Sequence, residues 1–276
     1  MSTSGTGNLN PLSPIVNLGN LYINGAAVAF VNGTTLTVGA GQVRDSTDTT
    51  DIIVGGNLYN APPNNAGEAG TTNPVTVSNA ITINSAVVGA GGIDAGALGV
   101  SLGYSVYVIG DSRGFKNGSA LVSLSATSPS LPLGYDCFRL VGSVLTSAGS
   151  AFLDFTSNRA VTNVTYAAAI ATAVTAGNAT TFTAVPLTAF IPQNATNVYL
   201  KAVLTSDAGG TRTASFRATG STSVAGQVTM SSPASTVTTA TLLVPVSNIA
   251  GVMSIDYLVS NASAALALSV AGYTVA

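Results

Sequence analysis

Ten acidic residues and one cysteine carry most of this chain's capacity for acid–base, nucleophilic or metal chemistry, because it contains no histidine. Histidine is the commonest general base and a usual zinc ligand, so most triad hydrolases and most zinc sites are excluded. The only acid cluster is Asp45-Ser-Thr-Asp48-Thr-Thr-Asp51. Calcium takes such oxygens, but a spacing of three with no glycine at the bend and no closing glutamate is not an EF-hand loop. A solvated loop is expected there, with ion binding by Asp45, Asp48 and Asp51 left open.

A glycosidase would need two facing carboxylates, and Asp94, Asp111, Asp136 and Asp154 lie in the most patterned stretch of the chain. Asp94 and Asp111 stand near glycines, where aspartate commonly caps turns, and they are read as structural turn residues together with Gly25, Gly33, Gly92 and Gly134. Gly89, Gly91, Gly92 and Gly96 are followed by no Gly-Lys-Ser/Thr and open no helical pattern, so they form no phosphate loop. Cys137, between Asp136 and Phe138, has no histidine to activate it and is expected to be an inert, partly buried thiol. A single cysteine forms no intrachain disulfide. No catalytic, cofactor-binding or metal residue is assigned.

The elements that must position these side chains are strands. From Leu21 to Val38 two apolar runs flank Asn24-Gly25 and Asn32-Gly33. Asn-Gly favours the positive φ angles of a type I′ hairpin, so a β-meander is predicted. Val28 and Phe30 share one face of a strand; Leu36 and Val38 share one face of the next, opposite Thr35 and Thr37. Residues Asn60–Pro74 are predicted to be loop, with strand resuming over Val75–Ile83. Tyr104–Ile109 is apolar on both faces and therefore central. Ser128–Tyr135 is a long turn, and Phe138–Leu145 a strand. Later strands are expected over Val198–Leu204, Thr211–Arg217, Thr241–Val246, Val252–Val259 and Leu266–Val275, while Ala167–Ala176 could form a helical turn or two. Recurrent short strands with turn residues between them indicate an all-β, antiparallel sandwich or jelly roll. The pattern loosens near Ser157–Asn163, which divides the chain into an N-terminal docking arm (1–20), a first β domain (21–157) and a second β-sandwich domain (158–276).

Charged residues make up only 7% of the 276 residues, against roughly 25% in an average soluble domain. The surface is therefore tiled with Thr, Ser, Asn, Gly and Ala, and little repulsion keeps copies apart. Such a surface suits a protein that packs against others, itself included. Eight scattered Lys and Arg cannot neutralise a run of phosphates, so nucleic acid is not expected as a partner. Ala- and Val-rich stretches such as Ala167–Thr175 are too short and too Thr-interrupted to span a bilayer, so no membrane partner is expected either. Met1–Pro14 has no basic region followed by an apolar core, which predicts synthesis in a cytoplasm.

One stretch is similar to a known group. Gly91-Gly-Ile-Asp-Ala-Gly-Ala-Leu98, Tyr104-Ser-Val-Tyr-Val-Ile-Gly-Asp-Ser-Arg-Gly114, Leu131-Pro-Leu-Gly-Tyr-Asp136 and Arg139-Leu-Val-Gly-Ser-Val144 resemble a β module of tailed-bacteriophage virion proteins, found in tail fibres, head fibres and other appendages. The ending Ser269-Val-Ala-Gly-Tyr-Thr-Val275 is similar to the closing strand of phage fibre and decoration domains. The resemblance implies a virion component: a capsid decoration, head-fibre or tail-collar protein that assembles as a symmetric oligomer, a homotrimer by analogy, with other virion proteins. It carries no catalytic or binding residues across. The alternative is a tail-fibre module binding a host receptor or surface glycan, for which exposed loop aromatics at Tyr59, Phe115 and Tyr135 are the candidates. Heptads and collagen-like triplets, usual in long fibres, are missing.

Overall fold

The computed structural model describes residues 22–54, 80–158, 163–172, 174–224 and 226–275. The arm at 1–20, Tyr59 and the loop predicted over Asn60–Pro74 lie outside the described residues, as does the 75–79 part of the following strand. Among the described residues the fold is all-β, without a helix. The first strands are β1 (Ile23–Gly25), β2 (Val28–Asn32), β3 (Thr35–Val38), β4 (Gly41–Arg44), β5 (Asp51–Val54) and β6 (Ile81–Asn84). Next come β7 (Gly92–Ile93), β8 (Gly103–Gly110), β9 (Ser119–Ser123) and β10 (Cys137–Leu145). The second half has β11 (Phe155–Asn158), β12 (Asn163–Ala171), β13 (Thr183–Pro186), β14 (Ala195–Thr205) and β15 (Arg212–Ala218). It closes with β16 (Val228–Ser232), β17 (Val237–Pro245), β18 (Ser247–Ile249), β19 (Val252–Val259) and β20 (Ala265–Val275).

In the second half two sheets, ordered β11-β12-β20-β14-β17 and β13-β19-β15-β16 with β18 also on β19, form a sandwich. Period-two alternation builds its core. Leu200, Ala202 and Leu204 of β14 and Leu266, Leu268 and Val270 of β20 meet Met253, Ile255 and Tyr257 of β19 in one apolar cluster. In the first half, small sheets β1-β4-β5 and β2-β3-β6 pack near a sheet ordered β10-β8-β9-β7. Among the described residues, the named strands pair antiparallel except β7 with β9. As the alternation predicts, β8 is central and buried on both faces: Tyr104, Val106 and Val108 join the main core, while Tyr107 and Ile109 join Leu121 in a second cluster.

Three local readings are corrected. The Leu21–Val38 stretch is not a meander: β1 pairs with β4 and β2 with β3, so Asn24-Gly25 turns a corner between two sheets. Gly25 has φ +74°, and a Cβ there would lie 2.3 Å from the Ala40 carbonyl oxygen, so only glycine lets the two backbones approach. Asn32-Gly33 does make a hairpin, but Gly33 is not among the residues with positive φ. The turn is held instead by the Asn32 carboxamide oxygen, which accepts from the Thr34 N–H at 3.0 Å and the Thr34 hydroxyl at 2.9 Å, an Asx turn. Residues 167–171 belong to β12, not to a helix: β20 pairs with residues 163–165 before them and with Ile170 and Ala171 at their end, and the Ala167 N–H donates to the Asp154 carbonyl at 3.0 Å, so the Ala run is held extended from both sides as a bulge.

The two halves meet closely. The 157/158 division falls within β11, which pairs with β12 in the second-half sheet, and the main apolar cluster runs through both halves.

Candidate functional site

The strongest surface feature is a pair of loops at one end of the β8–β10 sheet, residues 111–118 and 128–136. Asp111 follows β8, and its Oδ1 accepts from the Arg113 N–H at 3.1 Å and the Arg113 Nε–H at 2.9 Å, while its carbonyl accepts from Gly114 at 2.9 Å. Asp136, at the start of β10, accepts from the Ser112 N–H at 2.7 Å and the Ser112 hydroxyl at 2.6 Å. Asp111 folds the first loop on itself, and Asp136 fastens that loop to the neighbouring strand. The Asp94 Oδ2 fastens the second, accepting from the Ser123 hydroxyl at 2.6 Å and the Ser130 N–H at 3.0 Å. Of the aspartates read as turn residues, Asp111 accepts from the amide two residues on, while Asp94 bonds to residues far along the chain; Gly134 has φ +87°. Gly92 serves closer approach instead, since a Cβ there would fall 2.0 Å from the Val87 carbonyl oxygen.

Lys116 joins the two loops. Its ammonium donates to the Leu133 carbonyl at 2.5 Å and sits 4.9 Å from the centre of the Tyr135 ring. The loop tips then point apolar groups outward: Phe115 is 83% exposed and Leu133 96% exposed. The Arg113 guanidinium lies 5.7 Å from the Phe115 ring centre. Tyr135 is not a free tip, because it packs on the Tyr107, Ile109 and Leu121 cluster. Lys116 and Leu133 escaped sequence reasoning; the one available signal was Phe115-Lys116-Asn117 framed by Gly114 and Gly118.

Behind the first loop lies a cleft of about 130 Å³, lined among others by Ile52, Asp111, Lys116, Asn117 and Cys137. Its chemistry is quiet. Burial, then the charge of Asp136, pushes the Cys137 thiol up to about 11, so at neutral pH it carries no thiolate. The Arg113 side chain holds Asp111 below the usual carboxylate range, and the Ser112 hydroxyl does the same for Asp136. Glycoside hydrolysis needs one carboxyl held protonated, and neither of these is. The Asp111 Oδ2 is buried without a hydrogen-bond partner among the described residues.

The Asp45 cluster is likewise committed. Asp45 is buried, and its oxygens accept from the N–H groups of Thr49 at 2.7 Å, Thr50 at 2.7 Å and Thr47 at 3.2 Å, and from the Thr47 hydroxyl. Burial alone would raise its pKa, but the Thr47 hydroxyl and the three amides outweigh it and hold the carboxyl low. Arg44 takes the other two acids, Asp48 at 3.1 Å and Asp51 at 2.8 Å. Among the described residues no group of three or more His, Cys, Asp or Glu side chains is arranged to hold a metal ion. Comparison of the chain with family models, curated proteins and solved structures finds no match.

Proposed function

We propose that this chain is a structural subunit of a tailed-bacteriophage particle, a capsid decoration, head-fibre or tail-collar protein that works as a homo-oligomer docked on other virion proteins. The observation that carries the reading is the state of the 111–118 and 128–136 loops. The Asp111 Oδ1, both Asp136 oxygens and the Asp94 Oδ2 are engaged by loop amides, hydroxyls and Arg113, and what the loops turn outward is Phe115 and Leu133. Loops pinned by hydrogen bonds and tipped with apolar groups are suited to protein contact. The residues shared with phage modules include these same turn aspartates and the β8 core, which supports a structural role, and the sparse charge of the whole chain agrees with it.

Particles assembled with the natural chain, and with a Phe115→Ala, Leu133→Asp variant, provide the test. The natural chain is expected in fixed ratio to the major capsid protein, and the variant at roughly a tenth of that level with its fold intact. Finished particles that contain none of the natural chain would sink the reading.

One observation favours a host receptor or glycan as the partner of the same loops: the open face of Phe115, on which a sugar ring can stack. Binding of the purified chain to host-surface polysaccharide, lost in Phe115→Ala while particle incorporation persists, would select this second reading.

A further inference from the structure

Sheet edges expose unpaired backbone N–H and C=O groups, and proteins that stay monomeric blunt them with short strands, charges, proline or a covering segment. Most edges of this fold follow that rule. β11 and β13 have four residues each and β16 five, and the small sheets of the first half end on strands of three to five. The long edge strand β10 is largely buried and carries Arg139, and its Phe138 carbonyl is taken by the Ser46 N–H at 2.8 Å.

β17 breaks the rule. It has nine residues, Val-Thr-Thr-Ala-Thr-Leu-Leu-Val-Pro, with no charge and with its proline only at the far end. It pairs with β14 along its whole length and, among the described residues, with nothing on its outer side. Every second side chain faces solvent, including Val237 at 62% and Leu243 at 45% exposure, and Ala240 and Leu242 on the core side are only partly covered.

We propose that β17 is a self-association edge, pairing antiparallel with β17 of a second copy about a two-fold axis through Thr241. The strand is complementary to itself in that register. Val237 comes opposite Pro245, Thr238 opposite Val244, Thr239 opposite Leu243 and Ala240 opposite Leu242. Odd-numbered residues stay on the solvent face and even-numbered ones on the core face, so the apolar layer continues across the junction. β-branched and apolar cross-strand pairs of this kind stabilise sheets. The nearest like charges are the two copies of Lys201, which is paired with Thr241 in its own sheet. Three strand spacings, about 14 Å, separate them, more than the ~8 Å Debye length at physiological salt. A charged or polar partner would leave this edge's side chains unmatched; a second copy matches them. The inference stands on the edge strand alone, apart from the particle reading, and a two-fold contact can coexist with a three-fold one in a single assembly.

The test uses the full chain in analytical ultracentrifugation over a range of concentrations. The natural protein is expected to associate. Thr241→Lys and Thr241→Glu, each placing like charges face to face on the axis, are expected to weaken association at least tenfold, and an equimolar mixture of the two should restore it. A natural protein that stays monomeric, variants that associate unchanged, or a mixture that does not recover would each overturn the proposal. Hydrogen exchange gives a readout free of variants: the outward amides of 237–245 should exchange more slowly at high protein concentration than at low, and equal rates would defeat the idea.

Discussion

The Tyr273 hydroxyl, fully buried in β20, donates a 2.5 Å hydrogen bond to the Ser143 carbonyl of β10, tying the last strand of the chain to the sheet of the first half. Ser143 in turn donates from its hydroxyl to Asn194 at 3.1 Å, and Ser157 donates to the Val28 carbonyl at 2.6 Å. Polar bonds of this kind, set in a shared apolar cluster, couple the halves mechanically.

Tyr273→Phe keeps the ring, including its 6.0 Å packing against Tyr166, and removes only the donor. A buried carbonyl left without its partner costs about 1–3 kcal/mol. Chemical denaturation should show a loss in that range, with both halves still unfolding together. A loss below about 0.5 kcal/mol would mean that water replaces the hydroxyl.

Gly92→Ala should destabilise because its Cβ would meet the Val87 carbonyl oxygen at 2.0 Å, inside any tolerable contact. Overpacking of this sort costs about 1–3 kcal/mol. Gly149→Ala is the control, since a Cβ there would find only the Ser147 hydroxyl at 3.7 Å. Equal denaturation midpoints for the two variants would contradict the argument.

Asp45 sets a pH dependence. Its folded pKa lies below the ordinary carboxylate value of 3.8, so its contribution is fully present above that value and is lost as pH falls through the lower, folded value. Asp45→Asn keeps one oxygen that can still accept from the Thr49 and Thr50 amides, but it replaces the oxygen that accepts from the Thr47 amide and hydroxyl with a donor and removes the charge, and should cost about 1.5–3 kcal/mol at neutral pH. The gap between natural protein and variant should close as pH drops below 3.8. A gap that stays constant from neutral to strongly acid conditions would rule out the ionised carboxylate as the acceptor.

Cys137 should resist thiol reagents. With its pKa pushed up to about 11 and its side chain buried, the folded protein at pH 8 should give almost no colour with a disulfide reagent, and full stoichiometry after unfolding. Rapid reaction in the folded state would show that the cleft beside it opens readily.

Where the determinants are local, residue order alone decided the outcome. Tyr104–Ile109 alternates apolar groups on both faces, so a central strand was its only good solution; the β19 and β20 stripes followed from the same period of two. Asp111 accepts from the amide two residues on and Gly134 adopts φ +87°, because aspartate and glycine carry their turn chemistry with them, whereas Asp94 finds its partners only in the folded sheet. Tertiary structure decided what depends on partners. Asn24-Gly25 suits a hairpin or a corner equally well, and the pairing of β1 with β4 chose the corner. Ala167–Ala171 suits a helix or a strand, and the pairing of β20 on either side of the Ala run, with Asp154 holding Ala167, chose the extended form. Lys116 reaches Leu133 only after β8 and β10 have paired and brought their loops together. The same holds for β17: its uncharged alternation is written in the chain, but only the sheet order leaves it at an edge, because a strand's hydrogen-bonding sides are taken by whichever neighbours the whole fold delivers.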